Sequence, residues 1–267
     1  MGAPVLRQVS KKDQPPRAVQ MIRAKLAEVM ARPDPESPGQ PIGEAVGIYA
    51  YFDYDGEPIY VGQTSSKFRD RVGRHLTGQR SDAVAKFILD PFEVADIAMW
   101  SIPQVAALRD PVNSAKAASI AQKRAVLEAY EYTVYKRLEA ESRFGAVLNE
   151  AAIRPHKLMA LPQSVRGRII PDELWDDRAH SDIRIARRAA TISRLSQMIS
   201  ERAVSAGMRR TLLLQAKRLA WLADQRIEDL GARYPELESG ADEPGLFEVA
   251  GETDLSDTWA LFDEHDD

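Results

Sequence analysis

Val46-Gly47-Ile48-Tyr49-Ala50-Tyr51-Phe52 and Pro58-Ile59-Tyr60-Val61-Gly62, with Asp53-Tyr54-Asp55-Gly56-Glu57 between them, decide how this chain is read. Two short runs rich in β-branched and aromatic residues around Asp55-Gly56 have the pattern of a β-hairpin. With Asp55 and Gly56 as a two-residue turn, Tyr54 faces Glu57 and Tyr49 faces Gly62. Tyr60 lies two positions from Gly62, so the two phenols project from one face as diagonal neighbours. Gly62 has no side chain and leaves space beside Tyr49. Further on, Arg71 and His75 stand four apart in a helical stretch, 65–76, and share a face. Two phenols, a guanidinium and an imidazole thus converge on one pocket. Such groups move protons and bind anions, which suits a phosphate ester.

Working outward, residues 15–30 place Val19, Ile22, Leu26 and Met30 on one helical face. Pro33, Pro35, Pro38 and Pro41 follow and read as a linker. Residues 83–89 read as a short helix stopped by Asp90-Pro91. Residues 93–101 alternate and predict a third strand, and 115–141 predict a long helix with Val126, Tyr130, Val134 and Leu138 every fourth residue. The class is α+β: a small core of a three-stranded antiparallel sheet flanked by helices. Residues 182–206 and 208–230, joined near Gly207, predict an antiparallel α-helical hairpin. From 235 onward the chain is acidic and rich in turn formers, and we expect a flexible tail, with Trp259, Leu261 and Phe262 able to dock on a partner or on the body. The expected division is 1–42 (N-terminal helix and Pro-rich linker), 43–155 (the core domain), 156–234 (a basic helical module) and 235–267 (the acidic tail).

Composition excludes several classes. A chain of 267 residues that is 44% hydrophobic and 28% charged has enough apolar matter for a core. No run nears the ~18 apolar residues of a membrane span, and residues 1–12 lack the apolar centre of a secretory signal. There is no cysteine, which excludes disulfides, thiolate metal sites and cysteine nucleophiles and fits a reducing, cytoplasmic setting. The net charge of −4 hides a strong asymmetry. Residues 1–153 hold 20 basic and 19 acidic residues, residues 154–218 hold 14 and 6, and residues 219–267 hold 2 and 15. A basic middle followed by an acidic end points to nucleic acid or an interaction tail, with solvated helices and a solubilising tail as the plain alternative. The tail is also a candidate cover for the basic surface.

Gly47-Ile48-Tyr49, Tyr60-Val61-Gly62, Arg71 and His75 together resemble the GIY-YIG nuclease family, over roughly residues 44–153. The first tripeptide matches fully and the second carries Val for Ile. The resemblance implies a GIY-YIG-type core and metal-assisted hydrolysis of phosphodiester bonds with a single Mg²⁺ or Mn²⁺ ion. It implies that Tyr49 orients or deprotonates the attacking water, helped by Tyr60 and His75, and that Arg71 contacts the scissile phosphate. It also implies a glutamate ligand on a later helix and an asparagine beyond it. Glu131 fits the first, with Glu128 one turn earlier as the alternative, and Asn149 fits the second, at a longer interval than the family usually has.

The resemblance makes DNA the expected partner. Lys67, Arg69 and Arg74 near the motif, and Arg184, Arg187 and Arg188 on one helical face of the basic module, are candidate phosphate contacts. The competing reading makes the 182–230 hairpin a self-association or partner-docking element with its arginines solvated or paired. His156, in Arg154-Pro155-His156-Lys157, is a further candidate to face substrate, and Gln63 and Thr64 are candidates to shape the site's floor. Three functions follow: a DNA endonuclease of restriction-like or phage-defence type, a structure-directed repair or recombination nuclease, and a catalytically idle nucleic-acid-binding module.

Overall fold

The computed structural model describes residues 15–76, 91–108, 116–149 and 153–231. The expected helix at 83–89, the tail at 235–267 with Trp259, Leu261 and Phe262, and the first fourteen residues lie outside them. In chain order the elements are α1 (Arg17–Met30), a 3-10 turn (Ile42–Glu44), β1 (Gly47–Phe52), β2 (Pro58–Thr64), α2 (Phe68–Leu76), a second 3-10 turn (Pro91–Glu93), β3 (Asp96–Ser101), α3 (Pro103–Ala107), α4 (Lys116–Glu141), β4 (Val165–Arg168), α5 (Asp172–Ala179), α6 (Ser181–Glu201) and α7 (Ala206–Asp229). Residues 1–226 form one compact unit; of the second unit, 227–267, only the end of α7 and two further residues are described.

The class is α+β, and the sheet is antiparallel with four strands rather than the expected three, in the order β2-β1-β3-β4. The extra strand, Val-Arg-Gly-Arg at 165–168, lies within the stretch expected to be a helical module. Only Val165 and Gly167 turn inward, so its sequence carries no apolar alternation to betray it. Its place is held from outside. The Arg166 guanidinium lies 3.9 Å over the Phe52 ring and its Nε donates to Asp96 at 3.1 Å. Arg32 donates to the Arg166 carbonyl at 2.7 Å.

Each sheet face is covered, which explains why β1, Gly-Ile-Tyr-Ala-Tyr-Phe, is buried along its whole length instead of alternating. Tyr49, Tyr51, Ile97, Met99 and Val165 face a core built with α1, α2, α6 and α7. Ile48, Ala50, Phe52, Val61, Ala98 and Trp100 face Leu127, Tyr130, Val134 and Leu138 of α4; the last three belong to the stripe expected from the sequence, while Val126 is only partly buried and Leu127 takes its place in the core. The described part of the expected N-terminal piece packs into the core. Leu26, Val29 and Met30 of α1 belong to the first core. The Pro-rich stretch is a folded-back loop closed by a Pro33–Pro41 bridge, and the buried Asp34 accepts a 2.6 Å bond from the Ser101 hydroxyl. The boundary expected at 155/156 separates nothing, because β4, α6 and α7 complete the sheet and core of the domain before it.

The turn differs too. Asp53 N–H donates to Glu57 O at 3.0 Å and Gly56 N–H to Asp53 O at 3.0 Å, so three residues, not two, make the loop. The register expected from a two-residue turn survives because β2 holds one extra residue: Phe52 pairs with Pro58, but Tyr51 pairs with Tyr60 and Tyr49 with Gly62. A β-bulge at Ile59 cancels the longer loop.

Candidate active site

Tyr49 stands opposite Gly62, and its ring centroid is 6.1 Å from that of Tyr60. A Cβ at 62 would sit 2.7 Å from the Tyr49 hydroxyl and 2.7 Å from a Tyr60 ring carbon. Real Cβ atoms do not approach so closely, so the two phenols meet only over a glycine. Tyr49 is 0% exposed, braced edge-on by Phe68 of α2, while Tyr60 is half-buried. Gly47 has a comparable reason: φ is 152° and a Cβ there would lie 2.1 Å from the Trp100 carbonyl oxygen of β3.

β2 is the edge strand, and the outer backbone groups of its Val61 are claimed by Asn149. Val61 N–H donates to Asn149 Oδ1 at 3.1 Å, and Asn149 Nδ2 donates to the Val61 carbonyl at 2.8 Å. One side-chain amide thus imitates a neighbouring strand and holds the edge in place. Strand alternation then turns Gln63 toward α4, where its Nε2 donates to Glu131 Oε2 at 3.0 Å. The site therefore wraps around the edge of β2. Tyr49 and Tyr60 lie on the α1–α2 face, and Gln63 and Glu131 lie on the α4 face.

Burial first, then the charge of Glu128, pushes the Glu131 carboxyl up to about 7 from the ordinary 4.5, against the Gln63 hydrogen bond and the charge of Arg71. Glu128 is engaged by Arg124 at 2.6 Å, with His156 Nε2 at 3.7 Å. Arg71, on α2, is half-buried, and its Nε is buried without a hydrogen-bond partner among the described residues. A buried donor left over in this way suits an oxyanion. His75 and Arg74 lie on α2, and their side chains are outside the described set. An open cleft of about 710 Å³ lies where the chain leaves β2, with Gln63 and Arg71 on one side and Lys123, Arg124 and Glu128 of α4 on the other.

The residues present fit a hard divalent cation. Glu131 is a carboxylate that burial and a like charge keep from ionising freely, and a cation reverses that balance. No group of three or more His, Cys, Asp or Glu residues that could hold a metal occurs among the described residues. Magnesium commonly uses one or two carboxylates, with water and substrate phosphate completing its shell.

The expected phosphate contacts fare differently. Lys67 and Arg69 are on the surface, but both pair with Glu44, Lys67 at 2.6 Å. Arg184 and Arg188 are buried, at 3% and 4% exposed, and face inward rather than toward solvent. Arg184 grips Asp55 with both terminal nitrogens, the Nη1 bond being 3.0 Å. Arg188 reaches Asp53 at 2.8 Å and Glu93 at 3.2 Å. Arg187 reaches Glu93 at 2.7 Å and the Arg178 carbonyl at 2.6 Å. Arg218, unremarked in the sequence, is 1% exposed and donates to the Pro58 carbonyl at 2.7 Å. Burial pushes its guanidinium down to about 10. These arginines fasten the helical hairpin to the β1–β2 turn, which is the paired alternative rather than a phosphate-binding face. The signal was present in the sequence as four acids, Asp53, Asp55, Glu57 and Glu93, around the hairpin, but nothing in the sequence joined them to residues more than ninety positions away.

The sequence also passed over Lys123 and Arg124, and treated Gln63 as part of the site's floor without giving it a partner. Comparison of the chain with protein-family models, curated proteins and solved structures finds no match.

Proposed function

We propose that this protein is a metal-dependent DNA endonuclease that hydrolyses phosphodiester bonds at the β2 edge, with a site of the GIY-YIG kind. The observation that carries the proposal is a juxtaposition. Tyr49 and Tyr60 meet over Gly62, and the same strand, one residue on, holds Glu131 through Gln63, within reach of the charge of Arg71.

In this reading the Tyr49 hydroxyl orients the attacking water and takes its proton while handing its own to the Tyr60 hydroxyl, which in turn releases its proton to solvent. A phenol with an ordinary pKa near 10 keeps its proton at neutral pH, so Tyr49 accepts one only through such a relay, and Tyr60, half-buried beside it, is placed to provide it. Arg71 binds the scissile phosphate through the donor it does not otherwise use, and its charge offsets the negative charge that builds as water adds. Glu131 is the residue that would hold Mg²⁺ or Mn²⁺, and the ion would supply Lewis-acid stabilisation of the leaving oxygen. Gln63 holds one oxygen of the Glu131 carboxylate, and Asn149 keeps Val61, and so both phenols and Gln63, in register.

The test is cleavage of supercoiled plasmid in Mg²⁺, wild type beside Tyr49→Phe, Gly62→Ala, Arg71→Ala and Glu131→Gln. Wild-type cleavage abolished by EDTA and reduced by about a hundredfold or more in each variant is expected. Wild-type protein that leaves the plasmid intact, or cleavage indifferent to Tyr49→Phe, overturns the proposal. Loss in the first three variants but not in Glu131→Gln moves the cation to Glu128.

A further inference from the structure

We infer that the cleft between the end of β2 and α4 is a track for the strand that flanks the scissile phosphate, with Lys123 and Arg124 binding phosphates that are not cut. This rests on the nuclease reading and specifies how that site takes its substrate. The cleft, about 710 Å³ and open to solvent, starts at Gln63 and Arg71, so it is continuous with the site just described. Its side chains include three cations, Arg71, Lys123 and Arg124, against one acid, Glu128. The opposite rim is Ser65-Ser66, both exposed, whose hydroxyls suit phosphate oxygens.

Helix spacing aligns these groups with the catalytic end. Glu131 and Glu128 are one turn apart, Arg124 is one turn further, and Ile120 one turn beyond that, so a single face of α4 runs from the carboxylates to cations to an apolar surface. Ile120 is 52% exposed in that cleft, a position for the sugar or base edge of a nucleotide beyond the bound phosphates. Arg124 already pairs with Glu128 at 2.6 Å, and a phosphate replaces a surface pair of that kind at little cost. The occupant that matches a cationic rim ending in an apolar contact is a polynucleotide strand rather than a lone phosphate.

The test measures binding of a fluorescein-labelled DNA duplex to the full-length protein in EDTA, across salt, together with plasmid cleavage in Mg²⁺. The double variant Lys123→Ala/Arg124→Ala is expected to bind about tenfold more weakly and to lose roughly 1.8 from the slope of log affinity against log salt, two phosphate contacts' worth on a duplex. The charge-preserving double variant Lys123→Arg/Arg124→Lys restores both. Arg137→Ala, an exposed arginine on the far end of α4 paired with Glu141, leaves both unchanged and controls for general charge. Wild-type affinity and slope in the alanine double variant overturn the track while Tyr49-dependent cleavage leaves the nuclease standing. Equal weakening by Arg137→Ala also overturns it, by showing diffuse attraction. No binding of the duplex by the wild type overturns both.

Discussion

Gly62 and Glu131 show how single residues carry the candidate chemistry. At 62 the absence of a side chain is the functional feature, because two phenol rings occupy the space a methyl group would take. At 131 the feature is a carboxyl kept where its charge is costly. Its pKa in the fold, about 7, lies above the ordinary 4.5. The folded protein therefore binds a proton that the unfolded chain has lost. The stabilisation this gives is full below about 4.5 and is lost as pH rises through about 7. Glu131→Gln, which does not ionise, is expected to match the wild type in urea midpoint near pH 4. In metal-free buffer at about pH 8 it should be the more stable of the two, with Mg²⁺ narrowing the gap. Equal midpoints at both pH values would show that the carboxyl is not strained.

Among the elements, the β1–β2 hairpin and the α6–α7 hairpin depend on each other. The turn is shaped by Asp53, whose Oδ1 accepts from the N–H groups of Asp55 at 3.0 Å and Glu57 at 3.1 Å. Its other oxygen accepts from Arg188. One carboxylate thus builds the turn and anchors the helices that cover it. Taking one partner from a buried ion pair leaves an uncompensated charge, which costs about 3–5 kcal/mol. Asp53→Ala should lower stability by about that amount in urea unfolding. Arg137→Ala, which breaks an exposed pair one helical turn long, should cost less than about 0.5 kcal/mol. A similar small loss in both would mean that solvent reaches the buried cluster.

For the whole molecule, the described residues through 226 behave as one unit, and the basic module is part of its construction. A chain ended at residue 155 lacks β4, α6 and α7. It leaves Asp53, Glu57 and Glu93, all buried in the full chain, without their arginines. Such a chain is expected to show no cooperative urea transition and no near-ultraviolet circular dichroism signal. A sharp transition would make the helical hairpin an attachment instead. No helix among the described residues is long and apolar enough to cross a membrane. Local pattern was sufficient for the elements whose signal is local: the strand pair, the facing of Tyr49 and Gly62, most of the stripe of α4 and the presence of α6 and α7, though the junction of those two helices falls at 202–205 and Gly207 lies inside α7. Asn149 and Glu131 were legible only through resemblance, because one carboxamide and one glutamate carry no periodic signal. The three-residue turn and its cancelling bulge were hidden, since two opposite shifts leave the register unaltered. β4 and the buried arginines were hidden for a different reason. A short polar strand is stabilised by the edge it joins, and an arginine is buried only when acids from distant parts of the chain surround it. The sequence determined which groups could do chemistry and on which strand faces they stand. Tertiary structure decided which arginines meet buried carboxylates and which cations line the open cleft, because that depends on the desolvation and pairing of groups far apart along the chain.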